Sequence, residues 1–192
     1  MSNKGSKGVV RWTFDIESDF GGRSQNTLGL KYGLPKILKL LKEYKKKGLF
    51  FISTELLSGN REILSKILDE GHDVGSHGHF HIVWKDFWRA EEDRKISNEY
   101  LKNFDARLYH REFEYRAPKF SHRTSSEYSD PKGHIGLLKQ TWFGGELPKD
   151  FIFYMHPFDI VSDKDAPDLF CRVWYSNPGL AYKTLLSILA KN

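Results

Sequence analysis

The chain has almost no cysteine and no long apolar segment. Cys171 is the single cysteine among 192 residues, which excludes an internal disulfide and a cysteine-rich zinc site. No apolar run approaches the roughly 20 residues that a membrane-spanning helix needs. The start, MSNKGSKGVV, lacks the apolar region of a secretory signal peptide. We therefore expect a cytoplasmic protein without a transmembrane segment.

The composition is that of one globular domain. Hydrophobic residues make up 39% of the chain and charged residues 29%, with both signs interspersed. A chain of this length can bury one sizeable core, and we find neither an internal repeat nor a linker. We therefore predict a single domain over residues 1–192.

The net charge of +5 permits an anionic partner. The densest basic cluster, KEYKKKG at 42–48, lies at the end of a predicted helix, where cations complement the helix dipole. The other basic residues are spread along the chain. This distribution favours a solvated helix end over a nucleic-acid patch, and we expect no nucleic-acid partner.

Strand-like and helix-like segments alternate along the chain. The predicted strands cover 8–16, 49–53, 72–77, 113–118 and 150–159, and the predicted helices cover 34–48, 60–71, 89–108 and 177–192. In the third helix the apolar face comprises Ile96, Tyr100, Leu101, Phe104 and Leu108. The segment 134–143 is compatible with strand or loop. The alternation predicts an α/β fold with a parallel sheet, and the length favours a shortened barrel over a full eight-fold one.

Reactive side chains follow the predicted strands, at the edge where parallel α/β folds build active sites. They are Asp15, Glu17 and Asp19 after the first strand, His77, His79 and His81 after the third, then Arg116 and His156. Asp19 is as well explained as a helix cap. Isolated histidines such as His72 are expected to be packed or on the surface.

The stretch GSHGHFH at 75–81 allows two arrangements. If the strand continues, all three imidazoles share one face and form a three-histidine site. If the chain turns after Ser76, His77 and His81 become partners and His79 points elsewhere. Both arrangements match catalytic zinc, and iron, cobalt or nickel would also suit these ligands.

Four motifs together resemble the polysaccharide deacetylase family, also known as the NodB-homology group or carbohydrate esterase family 4. They are TFDIE, GHDVGSHGHFH, YRAPKFS and FYMHPFDI, and the resemblance extends from about residue 10 to 190. The variant is the one with D-x-D/E and H-G-x-x-H motifs. The resemblance implies a shortened, distorted (β/α) barrel with about six to seven parallel strands.

The resemblance also implies roles for particular residues. Asp15 would be the catalytic base, His156 the general acid, and Arg116 the residue that orients Asp15. The metal ligands would be Glu17, where the family usually has Asp, with His77 and His81; His79 has no ligand role. Substrate contacts would come from Pro118, Phe120 and Trp142.

The implied activity is a metal-dependent hydrolase that removes N-acetyl groups from an N-acylated sugar or polysaccharide, through metal-activated water. The metal would be zinc, with cobalt, nickel or iron as alternatives. One alternative function is a deacetylase or deformylase of a cytoplasmic lipid-linked or nucleotide sugar. Another is a catalytically inactive carbohydrate-binding domain, suggested by Glu17 and by the short interval of about forty residues between Arg116 and His156. A metal-storage or regulatory role would leave Asp15, Arg116 and His156 without a purpose.

Overall fold

A computed structural model describes residues 9–19, 26–82, 84–114, 134–136, 151–165 and 178–191. Within them, five strands form one parallel sheet in the order β3-β2-β1-β5-β4. The strands are β1 Val10–Ile16, β2 Gly48–Ile52, β3 Asp73–Ser76, β4 His134–Gly136 and β5 Phe151–Met155. The main helices are α1 Leu34–Glu43, α2 Arg61–Asp69, α3 Phe87–Phe104 and α4 Pro178–Lys191.

Strand β1 is the centre of the sheet. It pairs with β2 on one side and β5 on the other, and its side chains Trp12, Phe14 and Ile16 are buried. The chain moves outward from β1 through β2 to β3, and it then crosses to the other side of β1, where β4 forms the edge and β5 pairs with β1. A crevice forms at such a reversal of strand order, beyond the carboxyl ends of the strands. The last residues of β1 therefore lie at the natural position for a site.

Apolar stripes attach the helices to the sheet. In α1 the fully buried residues include Ile37 and Leu41, and in α2 they include Leu64 and Ile67. Burying a side chain of this size contributes about 1.5–3 kcal/mol, so these stripes fix each helix against the strands. In the described part of the chain, no helix is long and apolar enough to cross a membrane.

The observed sheet confirms the predicted α/β fold. Segment 134–143 contributes the short strand β4, while Phe113 and Glu114 are not part of a strand, although the Ser76 amide donates to the Glu114 carbonyl at 3.0 Å. The count of six to seven strands stays a prediction, because residues 115–133, 137–150 and 166–177 lie outside the described residues.

His72 is a packed histidine, as the sequence suggests. The Gly48 amide donates to its Nδ1 at 3.4 Å, and its ring lies 5.3 Å from that of Phe50. Because an amide can only donate, Nδ1 is the acceptor and the proton of the neutral ring is on Nε2. Burial lowers the pKa of His72 below its usual value by penalising the charged form.

The lowered pKa of His72 predicts a pH-dependent loss of stability. Below the ordinary histidine pKa of about 6.5, the unfolded chain binds a proton that the folded chain resists. This contribution to the free energy of unfolding is therefore present above that pH and is lost as the pH falls below it. His72→Asn keeps an acceptor for the Gly48 amide but does not titrate. Urea unfolding at several pH values should show a flatter profile for this variant, and identical profiles would contradict the assignment.

Candidate functional site

Three strands bring the candidate residues to one edge of the sheet. Ile16, Ile52 and Ser76 are in register across β1, β2 and β3, so Glu17 and His77 follow at the same level. On the other side, Phe14 pairs with Met155, which places Asp15 level with His156. The parallel register thus gathers residues that are far apart in sequence.

Glu17, His77 and His81 form the centre of the site. The Glu17 Oε2 atom lies 3.1 Å from His77 Nε2 and 2.7 Å from His81 Nε2. All three side chains are buried. Glutamate is one methylene longer than the aspartate usual in the family, and here it reaches both imidazoles.

The Glu17 carboxyl is held in its ionised form. Burial alone would raise its pKa, but the charge of His156 and hydrogen bonds from His77 and His81 outweigh that effect. The pKa of Glu17 is consequently well below its usual value. The cluster therefore contains an ionised, buried carboxylate next to two imidazole nitrogens.

The chain turns after β3, which decides between the two arrangements that GSHGHFH allows. Gly78 has φ +88°, a conformation that glycine adopts without steric cost. The His79 side chain points away, with Nδ1 2.9 Å from Thr54 Oγ1 and its ring 5.8 Å from that of Tyr100. His77 and His81 therefore share the site, and His79 does not line it.

The Asp93 carboxylate anchors the turn between His77 and His81. It accepts from the His79 amide at 3.0 Å and from the Phe80 amide at 2.9 Å. A Cβ atom on Gly78 would lie only 2.6 Å from the same carboxylate. Sequence reasoning missed Asp93. In the structure, Asp93, Ser97 and Leu101 form one buried stripe of α3. The available signal was their spacing of four residues, which places them on one face of a helix.

Asp15 and His156 flank the cluster. Asp15 Oδ2 is fully buried, 3.9 Å from His77 Nε2 and 3.9 Å from His156 Nε2. His156 Nε2 also lies 3.3 Å from Glu17 Oε1. The nitrogen that faces the carboxylates is therefore Nε2.

Asp159 fixes the other side of His156. Its Oδ2 accepts from the His156 amide at 2.7 Å and lies 3.3 Å from His156 Nδ1. An ionised carboxylate only accepts, so the imidazole Nδ1 is the donor in this contact. Sequence reasoning also missed Asp159, although an acid three residues after a residue that begins a helical turn is a capping pattern.

Asp19 accepts hydrogen bonds from backbone amides at the start of the next helical turn. Its carboxylate accepts from the amides of Leu28 at 2.8 Å and Gly29 at 3.0 Å, where the π-helical turn Gly29–Gly33 begins. The helix-cap interpretation therefore describes it. The other predicted residues, namely Arg116, Pro118, Phe120 and Trp142, lie outside the described residues.

The donor set fits a divalent metal ion. One oxygen of Glu17 and one nitrogen from each of His77 and His81 all lie within 4.8 Å of one another. Ligand atoms bound at about 2.1 Å around a tetrahedral zinc ion are roughly 3.4 Å apart. Two imidazoles and a carboxylate are also the ligand types that zinc accepts in catalytic sites.

A curated relative is similar over part of the chain. The peptidoglycan-N-acetylglucosamine deacetylase of Bacillus cereus is 30% identical over 67 residues, which are 35% of this chain and 30% of that protein. The chain thus matches less than a third of the length of this relative.

Solved structures share the fold. The peptidoglycan deacetylase PdaC from Bacillus subtilis superposes with a TM-score of 0.62 at 14% identity, covering 97% of this chain and 86% of the other. A family 4 carbohydrate esterase from Bacillus anthracis gives 0.56 at 19% identity, covering 95% and 74%. A family 4 pseudoenzyme from Bacillus anthracis gives 0.60 at 17% identity, covering 97% and 62%. The fold is therefore the distorted barrel of NodB-type proteins.

The family itself is shown by the sequence. The model of the family described as polysaccharide deacetylase matches residues 2–126, which is more than half of the chain and includes the ends of β1 and β3. The chain belongs to the polysaccharide deacetylase family.

Proposed function

We propose that the protein is a metal-dependent hydrolase that removes acetyl groups from the nitrogen of an N-acetylated glycan. The main observation behind the proposal is that a set of metal ligands and an acid–base pair lie next to each other at one edge of the sheet. A ligand set of Glu17, His77 and His81 lies beside an acid–base pair, Asp15 and His156, each with an atom within 3.9 Å of the ligand set.

The metal ion would be held by Glu17 Oε2 and the two Nε2 atoms of His77 and His81. A divalent ion at this position supplies Lewis acidity, which polarises an amide carbonyl and makes water easier to deprotonate. The ligand types suit zinc best, with cobalt, nickel and iron as alternatives.

Asp15 acts as the base. Its carboxylate is fully buried next to the ligand set, so it can take a proton from the attacking water when the substrate carbonyl is in place. The oxygen of that water bonds to the carbonyl carbon, and the carbon–nitrogen bond then breaks. Acetate and a free amine are the products.

His156 acts as the acid. Its Nε2 faces the cluster and its Nδ1 is turned toward Asp159, so the ring has one reactive nitrogen in a fixed direction. Donation from Nε2 to the departing nitrogen avoids expelling an unstable amide anion. The Asp159 carboxylate fixes the orientation of the ring for this step.

The proposed substrate follows from the family and from the Bacillus cereus relative, which is a peptidoglycan-N-acetylglucosamine deacetylase. A formyl group on a lipid-linked or nucleotide sugar would react through the same residues. The fold also occurs in a family 4 pseudoenzyme, so turnover must be measured directly.

Turnover is the first prediction. The metal-loaded protein should release acetate from N-acetylglucosamine oligomers, and Asp15→Asn or His156→Ala should lower kcat by about 10²–10⁴-fold. His110→Ala, at an exposed histidine, is the matched control and should retain activity. Enzymatic assays for acetate and formate identify the acyl group. Absence of both products from a metal-loaded protein would support the inactive carbohydrate-binding domain instead.

Metal uptake is the second prediction. His77→Ala and His81→Ala should each lose most of their zinc, because each removes one of three protein ligands. His79→Ala should retain zinc, since its ring contacts Thr54 and Tyr100 instead. Equilibrium dialysis with metal analysis gives the comparison. Equal losses in all three variants would favour the three-histidine site.

Asp93 gives the third prediction. Asp93→Ala removes both acceptors from the turn between His77 and His81, so zinc affinity should fall by about 10–100-fold. The free energy of unfolding should also fall, by about 1–3 kcal/mol. Glu92→Gln, at the exposed neighbouring acid, is the control. Calorimetric zinc titration is the decisive readout, and a variant that loses stability but binds zinc normally would rule out a positioning role.

A further inference from the structure

We propose that the π-helical turn Gly29–Gly33 positions the proton donor, building on the acid role proposed for His156. Its two glycines, Gly29 and Gly33, are then positioning residues for the reaction. They act through the 3₁₀ turn Pro157–Ile160, which follows His156 directly in the chain and is called the proline turn below.

The two turns pack with their backbones in direct contact. A Cβ atom on Gly33 would lie 1.8 Å from the Pro157 carbonyl oxygen, and one on Gly29 would lie 2.7 Å from the Phe158 amide nitrogen. Cβ atoms essentially never lie within 3.0 Å of another heavy atom. Because the neighbours are backbone atoms, no change of rotamer could relieve the overlap. The absence of a side chain at both positions therefore allows the proline turn to lie this close to the helix.

Backbone conformation does not explain these two glycines. Among the described residues, the glycines with positive φ are Gly71 and Gly78, and Gly33 has ordinary helical angles, φ −80° and ψ −50°. Any residue could adopt these angles, and alanine is more stable than glycine inside a helix. The requirement for glycine at 29 and 33 therefore comes from the contact with the proline turn.

The π-helical turn is itself an unusual feature. The Leu34 amide donates to the Gly29 carbonyl, five residues back, whereas an α-helix bonds four residues back. Turns of this kind are rare and occur frequently at functional sites. The Asp19 carboxylate anchors the start of the turn by accepting from the Leu28 amide at 2.8 Å and the Gly29 amide at 3.0 Å. Because Asp19 follows the end of β1 closely, this anchor ties the π-helical turn to the strand that carries the carboxylates of the site.

The proline turn fixes the imidazole of His156 in several ways. The Phe158 ring stacks on the His156 ring, with centroids 4.6 Å apart and an angle of 15° between the planes. Asp159 contacts both the amide and Nδ1 of His156. At the end of the turn, Lys36 Nζ of α1 lies 3.5 Å from the Ile160 carbonyl oxygen. A displacement of the proline turn would therefore move the ring and its Nε2 atom.

The position of Nε2 matters for one step of the proposed reaction. A proton donor must be within hydrogen-bond reach of the departing nitrogen, and a misplacement of about 1 Å can slow a reaction about 100-fold. An activated ester such as 4-nitrophenyl acetate does not need this proton, because nitrophenolate leaves as a stable anion. The π-helical turn should therefore affect amide hydrolysis selectively.

The test compares two substrates in variants of the zinc-loaded protein. Gly29→Ala has the smaller overlap and should lower kcat for acetate release from N-acetylglucosamine oligomers about 10–100-fold, with KM close to that of the parent. Its hydrolysis of 4-nitrophenyl acetate should stay close to that of the parent. Gly33→Ala should show a larger loss of the same kind. Gly59→Ala is the matched control, because a Cβ atom there has no neighbour within 4 Å, and it should retain both activities.

Nuclear magnetic resonance gives a readout that does not depend on turnover. The ring ¹⁵N signals of His156 are those that disappear in His156→Ala. These signals should shift in Gly29→Ala and stay in place in Gly59→Ala. The ring signals of His72, which lies just before β3 at the other end of the strands, should stay in place in both variants.

Two results would overturn the proposal. One is an unchanged set of His156 ring signals in Gly29→Ala. The other is an equal loss of amide and ester hydrolysis in that variant, since this would show a general effect on the fold. If the parent releases neither acetate nor formate, the proposed function fails, and the ring signals still decide whether the π-helical turn positions His156.

Discussion

The buried carboxylate of Glu17 is the constraint on which the site depends. An ionised carboxylate removed from water costs several kcal/mol unless charge and hydrogen bonds compensate it. The compensation comes from imidazoles carried by the ends of β3 and β5 and by the loop after β3. The ends of these strands must therefore meet the end of β1, and the central place of β1 in the sheet allows contacts from both sides.

Two further carboxylates, which do not belong to the cluster itself, orient the imidazoles through hydrogen bonds. Asp93 binds the backbone between His77 and His81, and Asp159 binds both the amide and the ring of His156. Partners of this kind orient the groups that contact a metal or a substrate, and losing them impairs binding even when the ligands remain. Hydrogen bonds from backbone amides to these carboxylates therefore contribute to the geometry of the site, together with the contacts between the reactive side chains.

The sequence contains enough information for the fold and for most of the cluster. Alternating β and α segments place the reactive residues at one sheet edge, and the motifs assign Glu17, His77 and His81 to one centre. Periodicity could not decide the position of His79, because that depends on a left-handed backbone at Gly78. It also assigned Ile96 to the buried face of α3, where the residue is 40% exposed. The buried stripe instead contains Asp93 and Ser97, whose partners come from a distant loop.

The two edges of the sheet differ in what their residues contribute to stability. In barrel-like α/β folds, chemistry is placed at the carboxyl ends of strands, and the opposite edge mainly serves stability. At that opposite edge this chain has Lys45 in a conformation unfavourable for any residue with a Cβ atom, and His72 with a buried donor unmatched among the described residues. Both features oppose stability at the edge where stability should dominate.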